Sequence, residues 1–372
     1  MTSVNGPTAA HDGLDRPVLE LGNAPGFPIV VEVAVHEGPI SGIATSSDGT
    51  RLLVTNYGND SVSVIDTHSC RVGETIAGLD EPFTIAVGSE NAERAYVSAV
   101  SAAYDSIAVI DLPTGAVVAT HPVALSVTDL AVSPDGRHVY ISRNAARGAD
   151  VAALDTTTGD VEALDIATAP GTSAACVRVS PDGDRLYVGT NGPAGGRLIV
   201  IGTRGDSGQT GLSLLGTVDI GLPVRDVALS PNGAVAYVAS CDPGLGAVLD
   251  VVDTATRKIV GTRKLGEIGG TLTGLTLSRD GDRAYLVSED GIAVLCTLTH
   301  DVVGTVTGAN QPSCVVESPD AKYLYIADYS GRVTLAAVAA IVALGTETEA
   351  PETQIPTDWV TPELLHYEPA LA

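Results

Sequence analysis

Seven times along the chain, a short apolar strand runs into a tight polar turn and out into a second apolar strand. Five copies are clear: "LAVSPDGRHVYIS" from Leu130, "VRVSPDGDRLYVG" from Val177, "VALSPNGAVAYVA" from Val227, "LTLSRDGDRAYLV" from Leu275 and "VVESPDAKYLYIA" from Val315. Two weaker ones, "IATSSDGTRLLVT" from Ile43 and "IAVGSENAERAYV" from Ile85, precede them. Their spacing of roughly 40 to 50 residues leaves room for several strands per unit, the signature of a β-propeller. Each unit has one grammar. Strand a ends at Ser, a Pro-Asp-Gly turn follows with Pro and Gly where turn geometry wants them, and strand b carries a Tyr-Val pair or its equivalent. A variable polar loop leads to strand c, such as "SVSVID" or "SIAVID", and a Thr- and Gly-containing turn leads to strand d.

Strand c is apolar on both faces, as in Val62, Val64 and Ile65 or Ile107, Val109 and Ile110. A sheet of that kind must be covered on both sides, and blades in a ring do this for one another while leaving few free edges. The last unit has strands a, b and c but no fourth. A lone strand, "PIVVEVAVH" (28–36), stands before the first unit. We therefore expect an all-β, seven-bladed propeller over 28–343, its ring closed by that N-terminal strand as strand d of the last blade. The Pro-, Thr- and Glu-rich ends, 1–27 and 344–372, read as tails, with Trp359 marking a docking point in the second.

Lys and Arg total 20 against 45 Asp and Glu, a net charge of -25, and no basic run offsets it. That balance repels nucleic acid and anionic membranes. The opening "MTSVNGPTAAHDGLDRP" has neither the basic nor the apolar region of a secretory leader, and no apolar stretch reaches membrane-spanning length. The five cysteines, Cys70, Cys176, Cys241, Cys296 and Cys314, are widely spaced without a C-x-x-C pair. They read as free thiols of a cytoplasmic protein, and neither metal nor cofactor is expected. We expect a monomer.

The stretch "LLVTNYGNDSVSVIDT" (Leu52 to Thr67) resembles the YVTN-type β-propeller repeats of surface-layer and cytoplasmic proteins, and the resemblance covers about residues 28–344. It implies the architecture through framework residues and leaves function open, since related folds include propeller lactonases and cofactor-dependent dehydrogenases. The chain departs from those relatives. It has one tryptophan and no C-x-x-C-H motif, and the His, Arg and Glu set of propeller lactonases has no clear counterpart. Only His36 and His121 are expected in loops on the functional face.

In a propeller the d-to-a and b-to-c loops share one face, and here they vary while the opposite turns are regular. Variable loops on a rigid frame are where binding concentrates. Candidates from the b-to-c corners include Arg143 and Asn144, Asn191, and Asp242. The sharper signal is within strand a. One aligned position holds Ala44, Ala86, Ala131, Arg178, Ala228, Thr276 and Val316. Arg178 breaks the small-residue rule, and a buried guanidinium needs partners. The neighbouring units supply Asp129 and Asp226, with Arg225 adjacent. Two readings follow: an inter-blade salt bridge that fixes the ring, or an anchor for a carboxylate or other anion, which Arg binds bidentately. The functional expectation is a non-catalytic binding or scaffold protein whose loop-rich face takes a small anionic molecule or a protein segment. The alternative is a lactonase-like hydrolase at the channel mouth.

The repeated tyrosines (Tyr96, Tyr140, Tyr187, Tyr237, Tyr285, Tyr325) read as packing, and Asp66, Asp111, Asp155 and Asp253 as caps of the turn after strand c. "TAAHD" with His11 and "GDSGQ" with Ser207 mimic protease fragments, and Arg204-Gly205-Asp206 an adhesion tripeptide. A triad is defined by geometry rather than by such strings, so both read as chance.

Overall fold

The computed structural model describes residues 27–338, apart from 36, 89–92, 102–103, 125, 146–147, 205–209, 267, 307–308 and 310. Seven antiparallel four-stranded sheets follow one another in a ring. Blade 1, for example, is built from Ile40–Thr45, Arg51–Asn56, Ser61–Asp66 and Arg71–Ala77, in that spatial order. Blade 7 takes Pro312–Glu317, Tyr323–Asp328 and Arg332–Ala337 from the C-terminal side and Ile29–Ala34 from the N-terminal side. The closing strand pairs antiparallel with Val33 opposite Val333, so hydrogen bonds from one end of the chain lock the other. Phe27 extends the closure, with its ring edge-on to Tyr285 at 6.2 Å. Residues 1–26 and 339–372, with His11 and Trp359, as well as His36 and Gly205 to Ser207, lie outside the described residues.

The core is seven clusters, each at one blade-to-blade interface. One joins Leu53 and Val64 of blade 1 to Val97 and Ile110 of blade 2, and another joins Val54 and Ile65 to Tyr325 and Val333 of blade 7. The repeated tyrosines serve this packing: all six are buried. With aromatics so scarce, β-branched and Leu side chains fill the rest, which suits the flat, two-sided burial of the middle strands.

The turns are fastened by repeated side-chain bonds. In six blades the Ser after strand a reaches the acid or amide two residues on, as in Ser133 to Asp135 (2.6 Å), with Asn232 taking the role in blade 5 at 2.8 Å. The strand-c aspartates cap the next turn, Asp66 accepting from the Ser69 amide at 2.6 Å and Asp253 from the Thr256 amide at 2.7 Å. The following Thr reaches across to the a–b turn, as Thr203 does to the Gly183 carbonyl at 2.6 Å. These bonds fasten the regular end of the blades that carry them, while the variable loops lie on the other face.

Candidate functional site

Strand a of every blade faces the central channel, and the d-to-a links bring its first residues to the loop-rich face. There the channel opens into a cavity of about 540 Å³, in the size range of small-molecule sites. Strand a contributes from all seven blades, and Tyr329 from a b–c corner.

Six blades share a feature that repeat alignment alone does not reveal. Near the start of strand a the pairing with strand b slips by one residue, leaving Ser41, Thr128, Ala175, Arg225, Thr273 and Ser313 unpaired in β-bulges. A bulge re-aims the extra side chain, and all six residues line the cavity. The available sequence signal was a polar residue, in five of the six, just before an apolar strand. Most of these groups turn back to the frame: Ser41 bonds Thr55 at 3.0 Å, and Thr128 bonds Ser142 at 2.8 Å.

Arg225 differs. Its side chain is exposed at the mouth, and its Nε donates to Cys241 Sγ at 3.1 Å. No carboxylate among the described residues pairs with it. Arg225 lines the cavity, and its two terminal amino groups make no hydrogen bond with the described residues.

Arg178 is engaged instead. Its guanidinium reaches backward to Asp129 of blade 3 and forward to Asp226 of blade 5, the latter at 2.6 Å. Asp129 also accepts from Thr84 of blade 2 (3.2 Å) and from the Val177 amide of blade 4 (3.1 Å). Asp226 accepts from the Leu275 amide of blade 6 at 2.9 Å. The result is a polar strap running from blade 2 to blade 6. Burial works against the Arg178 charge, but the two carboxylates outweigh it and hold the guanidinium above its ordinary pKa. Burial pushes the Asp226 carboxyl up; Arg178 opposes that rise and Asp129 adds to it. Two carboxylates already engage this guanidinium, so Arg225 is the cation at the mouth with donors to spare.

The other sequence candidates lie away from the cavity lining. Arg143 is buried and forms a bidentate pair with Asp150 at 2.7 and 2.9 Å. Asn144 accepts from the Ala174 amide of the next blade at 2.7 Å. Asn191, one blade on, does the same with the Val224 amide (2.7 Å) and also donates to the Val224 carbonyl (2.9 Å). Asp242 closes its own corner by accepting from the Gly244 amide at 2.8 Å. His121, expected in a loop on the functional face, instead lies within the outer strand Ala116–Ala124, its ring close to Gly159 in a turn on the opposite side of the neighbouring blade. The expectation failed because the outer strand of blade 2 is longer than its apolar pattern. No described histidine lines the cavity. The five thiols are unpaired. Of the two at the cavity wall, Cys176 is pushed well up by burial and Cys314 to about 12, so neither offers a ready thiolate.

No protein-family model matches the chain. A solved structure titled Kuenenia stuttgartiensis Hydrazine Synthase aligns with a TM-score of 0.71 over 86% of this chain and 99% of its own, at 20% identity, a likeness of fold alone. The seven-bladed beta-propeller protein Rv1057 of Mycobacterium tuberculosis is 53% identical over 395 residues, which take in 100% of both proteins. With seven four-stranded blades and identity of that extent along its whole length, the chain belongs to the family of this seven-bladed β-propeller protein.

Proposed function

We propose that the protein is a non-catalytic binding propeller that holds a small carboxylate or similar anion at the channel mouth, with Arg225 as the anchor and the Arg178 strap as a rigid floor. The observation that carries this reading is the contrast between the two arginines: Arg178 is saturated by two aspartates, while Arg225 is exposed on a bulge with its terminal donors unspent. A cavity of about 540 Å³ suits a small molecule, and the strand-a hydroxyls already committed to the frame leave the guanidinium to set the ligand's orientation. In this reading the repeats are of the YVTN type and the protein works in the cytoplasm.

The test is a thermal-shift and calorimetric screen with gluconate, citrate and benzoate, on the wild type and on Arg225→Ala. A ligand that binds only the folded state raises the melting temperature with concentration. The shift should appear in the wild type and vanish in the exposed-site variant, whose own melting stays unchanged. An equal shift in both proteins would falsify the assignment. Turnover of a lactone panel that survives Arg225→Ala would replace it with a hydrolytic reading.

A further inference from the structure

Tyrosine falls into two populations. Those of strand b are framework. The described tyrosines outside strand b, Tyr57, Tyr104 and Tyr329, all stand in b–c corners, of blades 1, 2 and 7, which are consecutive in the ring. Phe83 joins them from the link between blades 1 and 2. Their exposures are 39%, 49%, 49% and 42% respectively, in a chain where aromatics are only 4% of residues. Tyr57 and Phe83 meet edge to face at 6.4 Å, and the Tyr57 hydroxyl donates to Glu81 at 2.9 Å, so part of the arc is already fixed. Rigid, exposed aromatics on a loop face are the usual anchors of protein recognition.

The charge around them is predominantly acidic, and the nearby cation at blade 7's corner, Arg332, is already paired with Glu32 at 3.3 Å. The same links carry Glu37, Asp60, Asp80 and Glu81, and no Lys or Arg occurs in 35–39, 56–60, 78–84, 100–104 or 328–331. Asp60 holds the link by accepting from the Glu81 amide at 2.9 Å, which keeps these acids beside the aromatic pair. We propose that the aromatic and acidic arc over blades 7, 1 and 2 docks an extended protein segment in which Lys or Arg alternates with apolar side chains. Cations would lie over the Tyr and Phe faces and between the carboxylates, and apolar side chains against the ring edges. Charge excludes the nearer occupants. A second copy brings a net charge of -25, and the chain's own 339–372 stretch carries six acids and no Lys or Arg.

The docking surface goes beyond the anion site, and Tyr57 and Tyr104 take no part in the cavity lining. The test is fluorescence anisotropy with a labelled synthetic peptide alternating Lys with Leu and Tyr, titrated with the full chain at several salt concentrations. We expect saturable binding that weakens about tenfold in Tyr57→Ala/Tyr104→Ala. In Asp60→Asn/Asp80→Asn/Glu81→Gln we expect weaker binding and a shallower salt dependence. Leu298→Ala, on the opposite face, and Val260→Ala, on an outer strand, should bind as the wild type does. The proposal is overturned if those two controls lose affinity equally, if a Glu-for-Lys peptide binds as well, or if no saturable binding is seen. Circular dichroism and melting establish that each variant is folded. The anion-induced thermal shift is measured on Tyr57→Ala/Tyr104→Ala in parallel and should be unaltered. Loss of peptide binding with that shift retained separates failure of this surface from failure of the anion site.

Discussion

The channel mouth is built in two ways around one ring. Over blades 3 to 5 the first inward position of strand a is Asp129, Cys176 and Asp226, and Arg178 ties the two acids together. Over blades 7, 1 and 2 the same position is Cys314, Gly42 and Thr84, with no ion pair, and aromatic side chains stand exposed above it. One arc is cross-linked by charge; the other relies on close backbone packing and leaves its upper surface open. Equivalent positions in a repeat fold need only conserve the space between blades, so each arc solves the inner seam with different chemistry.

Removing the guanidinium should distinguish the arcs most sharply. Arg178→Ala leaves two carboxylates facing each other, and breaking a buried pair from one side costs several kcal/mol. Because the Arg178 side chain is 31% exposed, we place the loss at the low end, about 3 kcal/mol. Urea denaturation measures it. Arg178→Met combined with Asp129→Asn and Asp226→Asn should recover most of the loss, since the repulsion disappears with the charges. A triple variant no better than Arg178→Ala would show that the strap's hydrogen bonds, not its charges, hold this arc.

The opposite arc should respond to volume. At Gly42 an added Cβ would lie 2.8 Å from the Phe83 carbonyl oxygen, so the link bearing Phe83 must move. Gly42→Ala should cost about 2 kcal/mol, as overpacking commonly does. Gly274, the matching position in blade 6, has its nearest neighbour at 3.7 Å, and Gly274→Ala should be close to neutral. Equal effects in chevron or equilibrium unfolding would mean that the close approach at Gly42 does not set this arc apart from blade 6.

Smaller than either effect is that of the inter-blade amides. Asn191→Ala strips both the donor and the acceptor that hold Val224, leaving a buried amide unmet, for a loss of about 1–2 kcal/mol. Asn144→Ala removes one such bond and should cost less. Hydrogen exchange at Val224 and Ala174 reads each seam directly. Faster exchange at both sites in either variant would argue that the seams open together.

The fold was legible because the repeat is written in residues whose roles are local. Ser-Pro-Asp-Gly specifies a turn, alternating Val and Ile a two-sided strand, and a missing fourth strand at one end matches a spare strand at the other. The Arg178 pairing was legible for a related reason: a charge in a column of alanines demands partners, and only the adjacent copies of that column could supply them. The bulges were not legible, because a one-residue slip in pairing is a tertiary outcome with no turn residue to announce it. That slip is what turns Arg225, read as an adjunct to Asp226, into the exposed cation at the mouth. Arg143, Asn144 and Asn191 show the converse. Polar residues in a variable corner look available for ligands, yet in this ring they satisfy buried amides and acids of the same or the next blade.

The smallest effect per site concerns the regular face, which both arcs share. Asp48, Asp135, Asp182, Asp280 and Asp320 all sit two residues after the turn serine, and each carboxyl is held below its ordinary value. For Asp48, Asp182, Asp280 and Asp320 the serine hydroxyl is the largest influence; for Asp135 burial opposes the shift and the serine and backbone bonds overcome it. A carboxyl with a lowered folded-state pKa contributes stability that is fully present above the unfolded value of 3.8 and is lost as pH falls through the lower folded value. The melting temperature should therefore decline as pH drops below about 4, with these turns contributing in small equal steps. Blade 5 carries the internal control: Asn232 makes the same bonds to Ser230 and the Ala234 amide, at 2.8 and 3.0 Å, without a titrating group. Replacing all five aspartates by Asn should flatten the acid limb and lower neutral-pH stability by the part that the ionised carboxyls contribute. If the limb keeps its slope, acid sensitivity belongs to other carboxyls with lowered values, such as the strand-c caps Asp66, Asp111, Asp155 and Asp253, because Asp226 of the strap has a raised carboxyl and gains stability as pH falls.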